Sequence, residues 1–338
     1  MPSHLALVTG ATGLLGSHIA ERLVKRGDRV RALTRLDSKT GFLERLGVEI
    51  VRGDLTNPLD CRKALEGVDL VFHSAAKVGD WGTWPEFQRG CLDATETLAK
   101  AATQAKVERF LHISSTSAYG HPVEGGPPID ESAPLGVNLW PVWDYYTISK
   151  VECERILGRL ADESGLRLSI IRPSWLYGER DRTTMPRLIS RIRKRGIPLI
   201  GKGDNPLSAV YAGNVADAAL LAADDPGSVG EAYNVTHQGP ITQREYFELL
   251  AELCQGFSPR RKHRYRLVFG VALALEAQGK LFGRKTPPLI TRYATWLMGR
   301  YLSYSTEKAQ TKLGWKPALG YRESLERTVR WYFKANSL

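Results

Sequence analysis

Through its first half the chain sets short apolar runs against stretches of helical periodicity. Leu5–Val8 is a continuous apolar run of strand length. In Ser17–Arg26, the residues Ile19, Leu23 and Val24 recur at helical spacing. Further strands are predicted at Arg29–Leu33, Glu49–Arg52, Leu70–His73, Arg109–Ile113 and Leu168–Arg172. Helical patterns lie between them, notably Phe87–Lys106 and Tyr146–Glu163. Strands alternating with helices predict an α/β fold: a doubly wound parallel sheet, covered on both faces. Farther on, Met185–Arg195 reads as a basic helix and Val210–Asp224 as a strand and helix returning to the sheet. Ala232–Val235 reads as a last strand, and the residues from about Ile241 as mostly helical. No repeat or low-complexity segment interrupts this order.

The first strand and first helix are joined by Thr9–Gly16, with glycines at Gly10, Gly13 and Gly16. Glycine permits a tight turn and a close approach of backbone to a pyrophosphate, and the helix N-terminus offers free N–H groups to that anion. The turn residues Gly10, Thr12, Gly13, Leu14, Leu15 and Gly16 are therefore candidates for holding a dinucleotide. The fold is then of Rossmann type. Residues 1–175, rejoined by 208–236, would form the dinucleotide-binding domain. Residues 176–207 and 237–338 would form a smaller, mostly helical substrate-binding region.

The end of the second strand bears on the choice of dinucleotide. An acid there hydrogen-bonds the ribose 2′-OH of NAD, and an arginine accommodates the 2′-phosphate of NADP. Here Thr34 stands at the acid's place, followed by Arg35, with Lys39 four residues on. The segment predicts NADP(H) in preference to NAD(H). Asp54, after the third strand, suits the adenine amino group. Ala75 and Ala76, small residues after the fourth strand, suit the ribose, and Lys77 faces either solvent or substrate.

The candidate chemistry comes next. The fifth strand runs into Ser114-Ser115-Thr116-Ser117, and a Pro- and Gly-rich loop, Gly120–Trp143, leads to Tyr146 and Lys150. Residues four apart share a helix face. An ammonium beside a phenol favours the phenolate, which makes Tyr146 a candidate general acid/base. A serine at the strand end would hydrogen-bond the substrate oxygen.

Thr9–Gly16, Asp54-Leu55, His73–Ala76, Ser114–Gly120, Tyr146–Lys150 and Arg172–Gly178 together resemble the extended short-chain dehydrogenases/reductases over nearly the whole chain. Val30–Arg35 resembles the dihydroflavonol reductases, whereas Ala75–Gly82 and the C-terminal half resemble the 3β-hydroxysteroid dehydrogenase branch. The resemblance implies that Ser115 is the catalytic serine, that Tyr146 passes a proton to or from the substrate oxygen, and that Lys150 holds the nicotinamide ribose. It also implies that Leu55 joins Asp54 at the cofactor, and that Pro173, Ser174, Trp175 and Leu176 lie beside the nicotinamide. It implies a homodimer formed through Phe87–Lys106 and Tyr146–Glu163. Three readings follow: an NAD(P)-dependent reductase or dehydrogenase interconverting a ketone and a secondary alcohol on a hydrophobic substrate, a nucleotide-sugar epimerase or dehydratase, or a non-catalytic NADP-binding regulator. The intact Ser115, Tyr146 and Lys150 speak against the last.

Composition narrows the picture further. The 338 residues carry 47 Lys and Arg against 36 Asp and Glu, a net charge of +11, which favours anionic partners. No nucleic-acid-binding motif accompanies that charge, so no nucleic-acid partner is expected. Cys61, Cys91, Cys153 and Cys254 are scattered without metal-ligand spacing. No metal is expected, and reduced thiols predict a cytoplasmic protein. The opening Met-Pro-Ser-His runs directly into the first strand without a signal-peptide pattern. Trp81, Trp84, Trp140, Trp143 and Trp175 are expected in loops around an apolar pocket. Arg260–Arg264 and Arg266 precede the apolar run Leu267–Leu275, and Arg292 and Arg300 edge a second, Leu289–Leu302. Basic residues beside apolar helices predict a lid over the pocket, a peripheral contact with an anionic membrane, or both.

Overall fold

The computed structural model describes residues 4–335. Met1–Ser3, part of the opening read above, and Asn336–Leu338 lie outside the described residues. In chain order the strands are β1 (Leu5–Thr9), β2 (Arg29–Thr34), β3 (Glu49–Arg52), β4 (Leu70–His73), β5 (Arg109–Ile113), β6 (Leu168–Pro173), β7 (Trp175–Tyr177), β8 (Leu199–Ile200), β9 (Ala209–Tyr211), β10 (Ala232–Val235) and β11 (Lys262–His263). The helices are α1 (Leu14–Arg26), α2 (Gly41–Arg45), α3 (Pro58–Ala64), α4 (Trp84–Phe87), α5 (Ala94–Ala105), α6 (Tyr145–Ser164), α7 (Met185–Arg195), α8 (Ala212–Asp224), α9 (Gln243–Leu253), α10 (Tyr265–Leu281), α11 (Arg292–Gly299), α12 (Glu307–Leu313) and α13 (Tyr321–Ala335).

Seven strands form one parallel sheet in the order β10-β6-β5-β4-β1-β2-β3. Successive side chains of a strand point to opposite faces, so each strand feeds two cores. From β1, Ala6 and Val8 pack with Ile19 and Leu23 of α1 and Val215 and Ala219 of α8. Leu5 and Leu7 pack on the other face with Leu98 and Ala102 of α5 and Leu157 of α6. A third core joins Tyr177, Ile189, Tyr246 and Leu325, from β7, α7, α9 and α13. The strand order reverses between β1 and β4. In open sheets of this kind the ligand crevice lies there, beyond the strands' carboxyl ends.

Two predicted elements take a different form. The helix expected over Phe87–Lys106 is interrupted. Thr83 and Glu86 make a capping box at the start of α4, and a wider π turn spans Gln88–Asp93 before α5 begins. Val210 does not return to the main sheet as a strand. It pairs with Leu176 in a separate two-stranded sheet, and α8 and β10 make the return instead. That pairing is between distant segments, to which local apolar patterning is blind. All four cysteines are buried and free. No helix among the described residues is long and apolar enough to cross a membrane.

Candidate active site

Gly10 has φ +67°, and a Cβ there would stand 2.7 Å from the Ala75 nitrogen. A Cβ at Gly16 would stand 2.3 Å from the Gly10 carbonyl oxygen. Only glycine lets the first turn lie against the loop after β4 and α1 against the turn. Gly13 is the N-cap of α1 and brings no capping side chain, and the first turn of the helix holds no acid. The helix dipole and the turn's N–H groups thus face the β1–β4 crevice with no negative side chain competing, which suits a pyrophosphate. Leu15 is buried in the core, so at that residue the backbone alone can meet a ligand. Among the described residues no group of three His, Cys, Asp or Glu side chains is placed to hold a metal.

The turn after β2, expected to meet the adenosine, is more open. The Arg35 side chain is 79% exposed and 3.9 Å from Asp37, and Lys39 is exposed. Arg52 orders this turn, a role not apparent from sequence. Its guanidinium donates to the carbonyls of Arg35 and Ser38, both at 3.0 Å, and to the Thr40 hydroxyl at 2.7 Å. Asp54 is engaged at both oxygens, by the backbone and hydroxyl of Thr56 and by Arg89 at 2.9 Å. The Thr56 N–H heads the interactions that hold its carboxyl below the usual range. Leu55 packs partly against the second core, and Ala75 and Ala76 are half-buried. Lys77 lies over the Phe87 ring, 3.9 Å from Glu86.

Beyond β5 the chain makes a 3₁₀ turn, Thr116–Tyr119. Ser115 caps it: its Oγ accepts the Ser117 N–H at 3.1 Å. The serine's own O–H is left to donate. α6 packs against this turn. Lys150 is buried, and its Nζ donates to the Ile113 carbonyl at 3.2 Å. Tyr146 stands one helical turn earlier on the same face, with Tyr293 of α11 edge-on at 5.5 Å between ring centres.

A buried polar network underlies the turn. Arg172 makes a two-pronged ion pair with Glu154, at 2.7 Å for the Nη2–Oε2 contact, and donates to the Tyr119 hydroxyl at 2.9 Å. Glu154 also accepts the Ser114 hydroxyl. Burial alone would lower the guanidinium's pKa, but the Glu154 hydrogen bonds and charge raise it overall. Of the residues expected beside the nicotinamide, Pro173 ends β6 and the Ser174 hydroxyl donates to the Thr236 carbonyl. Trp175 and Leu176 lie in β7, and the Trp175 ring packs 5.4 Å from Tyr246 in the third core.

Tyr146 opens onto a narrow cleft lined by Asp80, Trp140, Trp143, Asp144, Glu276, Arg292 and Tyr293. The Trp140 ring stacks on His121 at 3.8 Å, and Asp144 pairs with His121 at 2.9 Å. Arg292 is buried, pairs with Glu276 at 2.6 Å and lies 4.8 Å over Trp140. Trp143 has φ +59°, a left-handed backbone uncommon for a bulky residue. Trp140 and Trp143 thus take the predicted place at the mouth. Trp84 instead opens α4, Trp175 sits in a strand, and Trp81 is buried, donating to the Arg284 carbonyl at 3.0 Å. The expectation that Arg292 edges a membrane-facing stretch is likewise corrected. The Glu276 carboxylate turns it inward, Trp296 is buried against His121, and α11 packs over the cleft with Arg292 and Tyr293 in its lining. Glu276 and Arg292 lie on different helices, so sequence patterning gave no sign of the pair.

Comparison with known proteins agrees with this architecture. A model of the NAD dependent epimerase/dehydratase family matches residues 6–236. The chain is 28% identical over 335 residues to a 2-alkyl-3-oxoalkanoate reductase of Shewanella oneidensis, covering 95% of this chain and 84% of that protein. It is 30% identical over 325 residues to a 4-hydroxy-2-methyl-3-oxo-4-farnesyl-3,4-dihydroquinoline-1-oxide ketoreductase of Stigmatella aurantiaca, covering 94% of each. The crystal structure of gox2253 superposes with a TM-score of 0.81 at 28% identity, covering 99% of both chains.

Proposed function

The chain belongs to the NAD dependent epimerase/dehydratase family, and from that premise we propose that it is an NADP(H)-preferring reductase of ketones carried on apolar molecules. It is an NAD(P)-dependent oxidoreductase that interconverts a ketone and a secondary alcohol on a hydrophobic substrate. The reading is supported by the packing of α6, which carries Tyr146 and Lys150, against the turn that Ser115 caps after β5, and by the place of Tyr146 in the wall of a cleft that holds Trp140, Trp143 and Tyr293. Relatives named for the reduction of a 3-oxoalkanoate and of a farnesylated oxo-quinoline support an apolar ketone.

The glycine turn would hold the pyrophosphate, Ala75 and Ala76 would line the ribose, and Arg35 with Lys39 would hold the 2′-phosphate. When bound, the nicotinamide supplies or accepts the hydride. Tyr146 would pass its phenolic proton to the carbonyl oxygen as the alcohol forms, and take it back in the reverse direction. Ser115 would donate to the same oxygen, adding a fixed dipole where negative charge develops. Lys150 would hold the ribose and stabilise the phenolate left on Tyr146. Trp140 and Trp143, which line the cleft, favour an apolar substrate over a sugar nucleotide.

Two further properties belong to this proposal. A homodimer would form through α5 and α6. The outer face of α10 would rest on an anionic membrane: Leu267, Val271, Leu281 and Phe282 are exposed, the last two at 81% and 72%, and Arg260–Arg264 and Arg266 flank them. The same helix contributes Glu276 to the cleft from its opposite face, so an apolar ketone would pass from bilayer to site without crossing water. The test of the function is NADPH consumption with β-keto-acyl, steroid and flavonoid ketones. Turnover of at least one hydrophobic ketone is expected, and silence across the panel would overturn the reading.

A further inference from the structure

Three carboxylates line the cleft beside Tyr146: Asp80, Asp144 and Glu276. Two are matched. Asp144 accepts from His121 Nε2 at 2.9 Å and from the Trp140 N–H at 3.0 Å. Glu276 accepts from the Arg292 N–H at 2.7 Å and from its guanidinium at 2.6 Å. Asp80 differs: its Oδ2 is buried and has no hydrogen-bond partner. A buried acceptor left unmade is costly, and such exceptions call for an explanation.

The cations nearby are already committed. Besides Glu276, Arg292 donates to the Val142 carbonyl at 2.8 Å. Lys280 donates to the Gly82 carbonyl and lies over the Trp81 ring. Among the side chains that line the cleft, the polar atom left over is therefore a carboxylate oxygen, beside the rings of Trp140, Trp143, Tyr146 and Tyr293. A substrate carboxylate placed against it would meet like charge. A hydroxyl or N–H would supply the missing partner. Burial raises the Asp80 pKa, and the Thr291 hydroxyl and the Arg292 and Lys280 charges offset only part of that rise.

We propose that Asp80 is a substrate-binding residue whose free oxygen accepts a hydrogen bond from a hydroxyl or N–H near the carbonyl that faces Tyr146. This deepens the ketone-reductase reading and rests on it. Asp80 selects, among apolar ketones, those that carry a donor close to the reacting carbon. Sites built to bind a substrate hydroxyl discriminate against analogues lacking it, because the site's own polar group is then stranded. An apolar wall alone offers no such choice.

The experiment uses the full chain with NADPH and pairs of apolar hydroxyketones with their O-methyl ethers, the hydroxyl one to three carbons from the ketone. The kcat/KM ratio of hydroxyl to ether is measured for wild type, Asp80→Asn and Asp80→Ala, with NADPH binding as the check on folding. Wild type should favour the hydroxyl member of at least one pair by about tenfold or more, the least expected of a charged hydrogen bond. Asp80→Ala should bring that ratio near unity by losing the hydroxyl substrate and sparing the ether. Asp80→Asn, which keeps an acceptor, should retain part of it. Turnover with a ratio that Asp80→Ala leaves unchanged, or an equal loss on both members as from a merely structural role, overturns the assignment. No turnover of any hydroxyl member by a wild type that reduces a ketone of the panel overturns the assignment and leaves the reductase reading standing, whereas silence on the panel as well overturns both.

Discussion

Lys150 reaches from α6 to the main-chain carbonyl of Ile113, the last residue of β5, at 3.2 Å. The contact ties the helix carrying Tyr146 to the strand end that leads into Ser115. Lys150→Met removes both the tether and the charge. Turnover should fall by about 10²–10⁴-fold, the scale of a general acid/base contribution. Steady-state kinetics would expose the error if the variant kept more than half of wild-type kcat.

Cofactor choice should rest on the turn after β2. Arg35→Asp should weaken NADPH binding by about tenfold or more, the scale of one charge-assisted contact, and leave NADH binding similar or better. Arg52→Ala should weaken NADPH in the same direction, because it frees the turn that presents Arg35. Fluorescence titration with both cofactors is the check. A wild type that binds NADH more tightly than NADPH contradicts the account of this turn.

The Arg172–Glu154 pair should matter for stability. Removing one partner leaves the other charge buried and unmatched, which costs about 3–5 kcal/mol in comparable sites. Glu154→Ala should therefore shift the urea midpoint strongly downward. An unchanged midpoint would show that the pair is solvated in the native state.

Acid should destabilise the fold through its buried histidines. His73 lies between the hydroxyls of Thr9 and Thr95, at 2.8 and 2.9 Å. Burial, helped by the Lys150 charge, pushes its pKa down from 6.5 to about 3. Below pH 6.5 the unfolded chain takes up a proton that the native state refuses. The stability present above pH 6.5 is thus lost progressively as pH falls toward 3. His18 and His112 are lowered by burial in the same way and deepen the loss. Urea unfolding at pH 7.5 and 5 should show a clear drop, smaller in His73→Asn. A flat profile contradicts the assignment.

The outer face of α10 makes a separate prediction. Leu281→Glu with Phe282→Glu should abolish salt-sensitive co-sedimentation with anionic vesicles, since exposed apolar side chains flanked by cations are what holds such a helix at the interface. Equal, negligible binding of wild type to anionic and neutral vesicles at low salt would leave α10 as a lid alone.

What the sequence made legible was local. β3, β4 and β5 were delimited by short apolar runs, and the Thr9–Gly16 turn and the Tyr146–Lys150 spacing are contiguous motifs. What it hid was long-range. Val210 pairs with Leu176 across 34 residues of sequence, and Arg292 turns inward because Glu276 sits opposite on another helix. Asp80 was one acid within Ala75–Gly82, with nothing to show that its oxygen would be stranded in the cleft. Arg52 acts on carbonyls, which no side-chain pattern reveals.

The central claim is that Tyr146 supplies the proton in ketone reduction, and Tyr146→Phe tests it most directly. The substitution keeps the ring against Tyr293 and removes only the hydroxyl. On a ketone the wild type reduces, kcat should fall by about 10²–10⁴-fold while NADPH binds as tightly as before. A variant with unchanged cofactor affinity and more than half the wild-type kcat would contradict the account.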